Sequence, residues 1–262
     1  MSETPLLEAR ALQVARGRSG VLFETSIAVA AGEAVALVGP NASGKSTLVR
    51  TLAGLLAPSH GEVRIEGRPL ASWPRPALAR VLALVTSEEE GPDALSVQDR
   101  VALGRYPHLG PLRPLAPRDW ETVARALRQV GIEHLARRRL ATLSAGERQL
   151  AALARGLAQE PRLLILDEPA AHLDIGHQIQ LFRVLDEVRR RGVGILAVVH
   201  DLARAAAWAE RMVLLARGRV MAEGRPSEVL VGRAAAEAFG VGIRGHAVPG
   251  LRQRLYSFEE DP

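Results

Sequence analysis

Gly39-Pro40-Asn41-Ala42-Ser43-Gly44-Lys45-Ser46-Thr47 lies between an apolar run, Ala34-Val-Ala-Leu-Val38, and a helical pattern from Ser46 to Leu56. The spacing Gly-x4-Gly-Lys-Ser matches the phosphate-binding loop, whose backbone N–H groups wrap the phosphates of a nucleoside triphosphate. Strand before and helix after are the context that motif requires, so the stretch predicts an α/β fold with a P-loop NTPase core. Lys45 is the only lysine among 34 basic side chains; the rest are arginine. A compact ammonium on a thin stem reaches between β- and γ-phosphates, where a planar guanidinium fits badly. The Ser46 hydroxyl is placed to ligate Mg²⁺.

The 262 residues are 47% hydrophobic but only 3% aromatic, so Ala, Leu and Val must build most of the core. Cysteine is absent, which excludes disulfides and thiolate metal sites and suits a reducing compartment. Met1 to Arg10 lacks a basic segment followed by an apolar run, so no secretion signal is expected there. No apolar run approaches the ~18 residues of a membrane span. The net charge of +5 raises nucleic acid as a partner. The arginines are dispersed, however, and their short clusters at Arg137–Arg139 and Arg189–Arg191 have no interleaved aromatics to stack bases, which argues against it.

Strand patterns cover Leu6–Val14, Phe23–Val29, Ala34–Val38, Glu62–Glu66 and Val81–Val85. Helical periodicity then takes over in Val97–Gly104, Trp120–Val130 and Gly146–Gln159. β/α alternation returns with the apolar runs Leu163–Leu166 and Val193–Val199, separated by a helix over Gly176–Arg191. Met212–Ala216 and Arg219–Ala222 read as a hairpin, followed by a short helix and a tail with no clear pattern. The expected organisation is an ATP-binding α/β core with an antiparallel β subdomain (1–86 and 162–232), a helical insertion (87–161) and a C-terminal extension (233–262).

Further polar residues stand at strand and helix ends. Asp167-Glu168 closes the Leu163–Leu166 run, where a Mg²⁺-supporting carboxylate belongs, and Glu168 is placed to polarise an attacking water. Leu143-Ser-Ala-Gly-Glu147 offers Ser144 as helix N-cap and Glu147 as its capping-box partner; the positive helix end suits a γ-phosphate. His200 ends the Val193–Val199 run as a candidate γ-phosphate sensor. His172, Asp174 and His177 have no metal-ligand spacing and read as polar residues at a helix start.

The order phosphate loop, Leu-Ser-x-Gly-Glu, Leu-Asp-Glu-Pro, His172-Leu-Asp174 and His200 resembles the nucleotide-binding subunit of ABC transporters over residues 6 to 230. The resemblance implies two cassettes packed head to tail. Lys45, Asp167 and Glu168 of one copy would then face Ser144 and Gly146 of the other across ATP, with Asp174 at the seam and His200 at the γ-phosphate. Val101-Ala-Leu-Gly-Arg-Tyr-Pro-His108 and the segments at 172–177 and 200–203 are similar to those of importers of iron chelates, haem and cobalamin. Partners implied are two membrane permease subunits, a second copy of the chain and, indirectly, an extracytoplasmic binding protein. The implied location is the cytoplasmic face of a bacterial membrane.

Four departures from the family pattern stand out. Ala42 replaces a Gly; Arg16 stands where an aromatic stacks on adenine; Ala170-Ala171 replaces Thr-Ser; and Ser87, in Thr86-Ser-Glu-Glu-Glu90, replaces a Gln that touches Mg²⁺. Ser87, or Glu88 through its carboxylate, is the expected substitute. The rival readings are an ABC ATPase acting on nucleic acid and a weakly active regulatory cassette that binds nucleotide.

Overall fold

The computed structural model describes residues 4–17, 19–87, 94–109, 113–171, 173–247 and 254–260, with the side chains of Arg16 and Glu260 outside the description. Glu88 and His172 fall outside it as well. The chain opens with β1 (Leu7–Arg16), β2 (Ser19–Val29) and β3 (Ala34–Val38), then α1 (Lys45–Leu52), β4 (His60–Ile65) and the two-residue β5 (Arg68–Pro69). The middle holds α2 (Arg75–Leu78), β6 (Leu82–Thr86), α3 (Val97–Ala102), α4 (Pro117–Gln129), α5 (Ala145–Ala158), β7 (Leu163–Asp167) and α6 (Ile175–Arg190). Last come β8 (Gly194–Val198), α7 (Leu202–Trp208), β9 (Arg211–Ala216), β10 (Arg219–Gly224), α8 (Pro226–Val231), α9 (Arg233–Phe239), β11 (Val241–His246) and β12 (Leu255–Glu260). Chain contacts divide these into one body of 1–72 with 194–262, and a second of 73–193.

In the first body β1, β2, β4 and β5 form an antiparallel sheet in the order β2-β1-β4-β5. A second set places β3 between β8 and β9, parallel to both, with Val35 opposite Leu196 on one side and Arg211 on the other. All five residues of β3 and of β8 are buried, the reason both read as unbroken apolar runs rather than alternating ones. β10 returns antiparallel on β9. The two sheets are tied at the β9–β10 turn, where the Phe23 N–H and the Thr25 hydroxyl both donate to the Gly218 carbonyl, at 2.8 and 2.9 Å. The C-terminal tail, which carried no pattern in sequence, forms α9 and the β11–β12 hairpin; Gly242 and Gly245 interrupt the alternation a strand would otherwise show.

The second body pairs β6 parallel to β7, with Thr86 opposite Asp167, and packs α3, α4 and α5 together. Its buried anchor is Arg105, in the short 3₁₀ stretch Leu103–His108. Arg105 donates to Asp119 Oδ1 at 3.0 Å, to the Ala158 carbonyl at 2.8 Å and to Glu160 Oε2 at 2.7 Å. His108 Nε2 meets the Gln159 carbonyl at 2.8 Å. The Val101–His108 segment therefore ties the start of α4 to the end of α5. Among the described residues no helix is long and apolar enough to cross a membrane.

Candidate nucleotide-binding site

The loop between β3 and α1 brings several polar groups together in the first body. β3 ends buried at Val38, and the chain turns through Gly39 with φ +153°. A Cβ there would sit 1.9 Å from the Leu215 carbonyl of β9, so only glycine lets the loop leave the sheet this way. Gly44 is the N-cap of α1, with no side chain accepting from the first turn and no acidic residue in it. The orphan N–H groups and positive end of α1 are thus left for an anion.

Two side chains support that use. Ser43 is 3% exposed, and its Oγ has no hydrogen-bond partner among the described residues, a buried donor fitted to a phosphate oxygen. Its carbonyl takes the Gly218 N–H at 3.0 Å, which braces the loop on the β9–β10 turn. Lys45 is 6% exposed, and its Nζ donates to the Gly39 and Pro40 carbonyls at 2.9 and 2.8 Å. The ammonium is therefore held inside the loop by main-chain oxygens. Ser46 and Thr47 are half-buried on the next positions, and Asn41 is exposed. Ala42 has φ +59°, the left-handed conformation that its replacement of Gly put in question. An L-residue there costs about 1–2 kcal/mol.

His200 follows β8, whose end runs beside that of β3: Leu37 pairs Val198, and the Val199 N–H donates to the Leu37 carbonyl at 3.2 Å. Its side chain is exposed at the same sheet edge as the phosphate loop. Asp201 caps α7 through the Arg204 N–H at 2.9 Å. Arg16, in contrast, ends β1 opposite Ser19 and its side chain lies outside the described residues.

The second body carries the carboxylates. Asp167 is the last residue of β7 and buried; Glu168 follows, half-buried, with φ +53°. That left-handed glutamate is strained, and such strain concentrates at functional sites. The Ser87 N–H donates to the Asp167 carbonyl at 3.1 Å, a main-chain bond that places residue 87 beside the end of β7. The described residues hold no cluster of three His, Cys, Asp or Glu able to bind a metal unaided. Mg²⁺ sites of one or two protein oxygens plus phosphates need no such cluster, and the hydroxyl and carboxylate donors present suit that ion.

Ser144 caps α5 as expected. Its Oγ accepts the Glu147 N–H at 3.2 Å, and the Glu147 carboxylate accepts the Ser144 N–H at 2.7 Å. That backbone hydrogen bond is the main reason the Glu147 carboxyl is held below its usual range. Asp174 caps α6, its Oδ1 accepting the His177 N–H and its Oδ2 facing His177 Nδ1, each at 2.8 Å. His177, read in sequence as a polar residue at a helix start, also covers Gly146. The Leu215 carbonyl and the Gly218 N–H that shape the phosphate loop lie about 175 residues from it in sequence, and no local pattern announces them.

The sequence pattern of the family described as ABC transporter matches residues 22–171, more than half of the chain. The chain belongs to the ABC transporter family. The ferric enterobactin transport ATP-binding protein FepC of Escherichia coli is 36% identical over 90% of this chain and 87% of its own length. The hemin import ATP-binding protein HmuV of Nocardia farcinica is 44% identical over 86% of this chain and 79% of its own. In fold, the chain is similar to the structure of a metal-chelate type ABC transporter in an inward-facing conformation, with TM-score 0.84, 23% identity and 97% of each chain covered. This ABC transporter chain is an ATP-binding subunit, and subunits of this kind hydrolyse ATP.

Proposed function

We propose that this ABC ATPase subunit energises uptake of an iron chelate, siderophore or haem, or of cobalamin, at the cytoplasmic face of a bacterial membrane. It would work as a homodimer beneath two permease subunits, with an extracytoplasmic binding protein delivering the cargo. The observation that carries the nucleotide role is the uncapped start of α1, with the unpartnered Ser43 hydroxyl and the buried Lys45 ammonium on one loop. Support for the cargo class is the 36% and 44% identity to subunits named for ferric enterobactin and hemin.

In this reading the N–H groups of Gly39 to Thr47 and Lys45 bind the phosphates and stabilise developing charge. Ser46, Asp167 and Ser87 would supply oxygen ligands to Mg²⁺, which would neutralise phosphate charge. Glu168 orients water for in-line attack and His200 contacts the γ-phosphate. Ser144 and Gly146 complete the site of a second copy, Asp174 lies at the seam, and Arg16 stands at the adenine position. The segments 1–86 with 162–232, 87–161 and 233–262 serve as core, helical insertion and extension.

Glu168→Gln is expected to retain ATP binding while turnover falls roughly 10²-fold or more, the scale of removing a transition-state group. Near-normal turnover in that variant would take Glu168 out of the catalytic role. ATPase stimulation in the assembled transporter, measured with binding protein loaded in turn with siderophore, haem or cobalamin, tests the cargo.

A further inference from the structure

His177 holds two elements of the second body at once. Both oxygens of the Asp174 carboxylate are taken by this one residue, Oδ1 by its main-chain N–H and Oδ2 by ring Nδ1, each at 2.8 Å. The carboxylate accepts, so Nδ1 carries the proton. Asp174 is therefore fixed in direction although it is two-thirds exposed. The His177 N–H, then the ring, hold its carboxyl below the usual range. The same ring also packs on Gly146, in the first turn of α5. A Cβ on Gly146 would lie 2.7 Å from the ring Cγ, 2.8 Å from Nδ1 and 3.0 Å from Cδ2. The first two are closer than a real Cβ approaches, so the imidazole rests directly on the α5 backbone. Two residues before Gly146 is Ser144, fixed by the reciprocal hydrogen bonds with Glu147.

We infer that His177 is a positioning residue for ATP hydrolysis, clamping the Asp174 carboxylate to the turn that carries Ser144 and Gly146. The inference rests on the reading above, in which that turn and Asp174 meet the nucleotide of a second copy. One imidazole then sets the spacing between the two elements, so they reach the partner's site as a unit. Loss of the clamp changes the geometry of the closed site and leaves the phosphate loop, in the other body, untouched. The effect falls on kcat and not on nucleotide affinity.

The test uses the full chain. Turnover is measured at saturating Mg-ATP, and affinity by titration with trinitrophenyl-ATP. His177→Ala is expected to lower kcat about tenfold, short of the ~10²-fold that a 1 Å misplacement costs, with the dissociation constant changed less than about twofold. His177→Asn places an amide donor where Nδ1 stands and is expected to recover part of the loss. His177→Ala combined with Asp174→Ala is expected to be no slower than the slower single variant, because the two act through one contact. Unchanged kcat in His177→Ala, or penalties that multiply in the double variant, would overturn the inference. If His177→Ala fails to fold by circular dichroism, His177→Phe keeps the ring on Gly146 and lacks the donor. Wild-type turnover in His177→Phe overturns the inference equally. Glu168→Gln with ATP, run on a sizing column, separates the two levels. A monomer there removes the head-to-tail reading itself, whereas a dimer alongside an unimpaired His177→Ala removes only the role of His177.

Discussion

Ala42→Gly is expected to stabilise this chain, against the usual direction for that substitution. Ala42 sits at φ +59° in the phosphate loop, exposed, so its methyl contributes little burial. The left-handed conformation costs an L-residue about 1–2 kcal/mol. Glycine removes that cost but gives the unfolded chain more freedom, worth about 0.4–1 kcal/mol in the other direction. The difference is a gain of about 0–1.6 kcal/mol, centred near 0.8. For a body of this size that corresponds to a rise in Tm of about 2–3 °C. Urea unfolding followed by circular dichroism reads it as a higher midpoint at unchanged slope, and a changed slope would mean an altered denatured state instead. ATP affinity should move less than about twofold, since strain present with and without ligand makes no difference to binding. A lower midpoint would refute the reasoning, showing that the loop is not strained at Ala42 or that the methyl makes a contact of its own.

Gly39→Ala should do the opposite, since its Cβ would collide with the Leu215 carbonyl at 1.9 Å; loss of trinitrophenyl-ATP binding, with a lower unfolding midpoint, is the expected result. Arg105→Met should cost about 3–5 kcal/mol in urea unfolding, because it strands the Asp119 carboxylate, 1% exposed, without its guanidinium. Burial pushes the Asp119 carboxyl up, but the Ala116 N–H and Arg105 outweigh it and hold the group below its ordinary range. A depressed folded pKa gives stability that is present above the unfolded value of about 3.9 and lost as pH falls through the folded one. Asp119→Asn should accordingly flatten the acid side of the stability curve below about pH 4, and an unchanged acid limb would show that Asp119 is not part of it.

What was legible in the sequence had a local cause. β3 and β8 read as strands because burial on both faces leaves no polar position to interrupt them. Ser144 and Glu147 announced the start of α5 because a capping box is complete within four residues. The phosphate loop declared itself by spacing. Other parts depend on contacts between distant segments, which no window contains. Arg105 looked like one arginine among many, and only the fold brings Asp119, Ala158 and Glu160 to it. α7 escaped because Leu202 to Trp208 is mostly alanine, leaving a stripe too weak to show a period. His177 read as a helix-start residue, which it is; its second contact, with Gly146, needed α5 to be placed first.

The solitary lysine follows from the same geometry. The residue is 6% exposed, and its ammonium donates hydrogen bonds to two consecutive carbonyls, Gly39 and Pro40, each within 3 Å. A tetrahedral ammonium can turn its donors from those oxygens to an arriving phosphate without moving its stem, because its charge is a point. A guanidinium must aim a rigid planar fork and cannot redirect its donors in that way. On the surface no such restriction applies, and the chain writes its other cations as arginine, as in the ion pairs of Arg10 and Arg233. Composition and site thus have one explanation: lysine persists where the cation must be small and redirectable, and the carbonyls that hold it keep a buried charge satisfied until an anion replaces them.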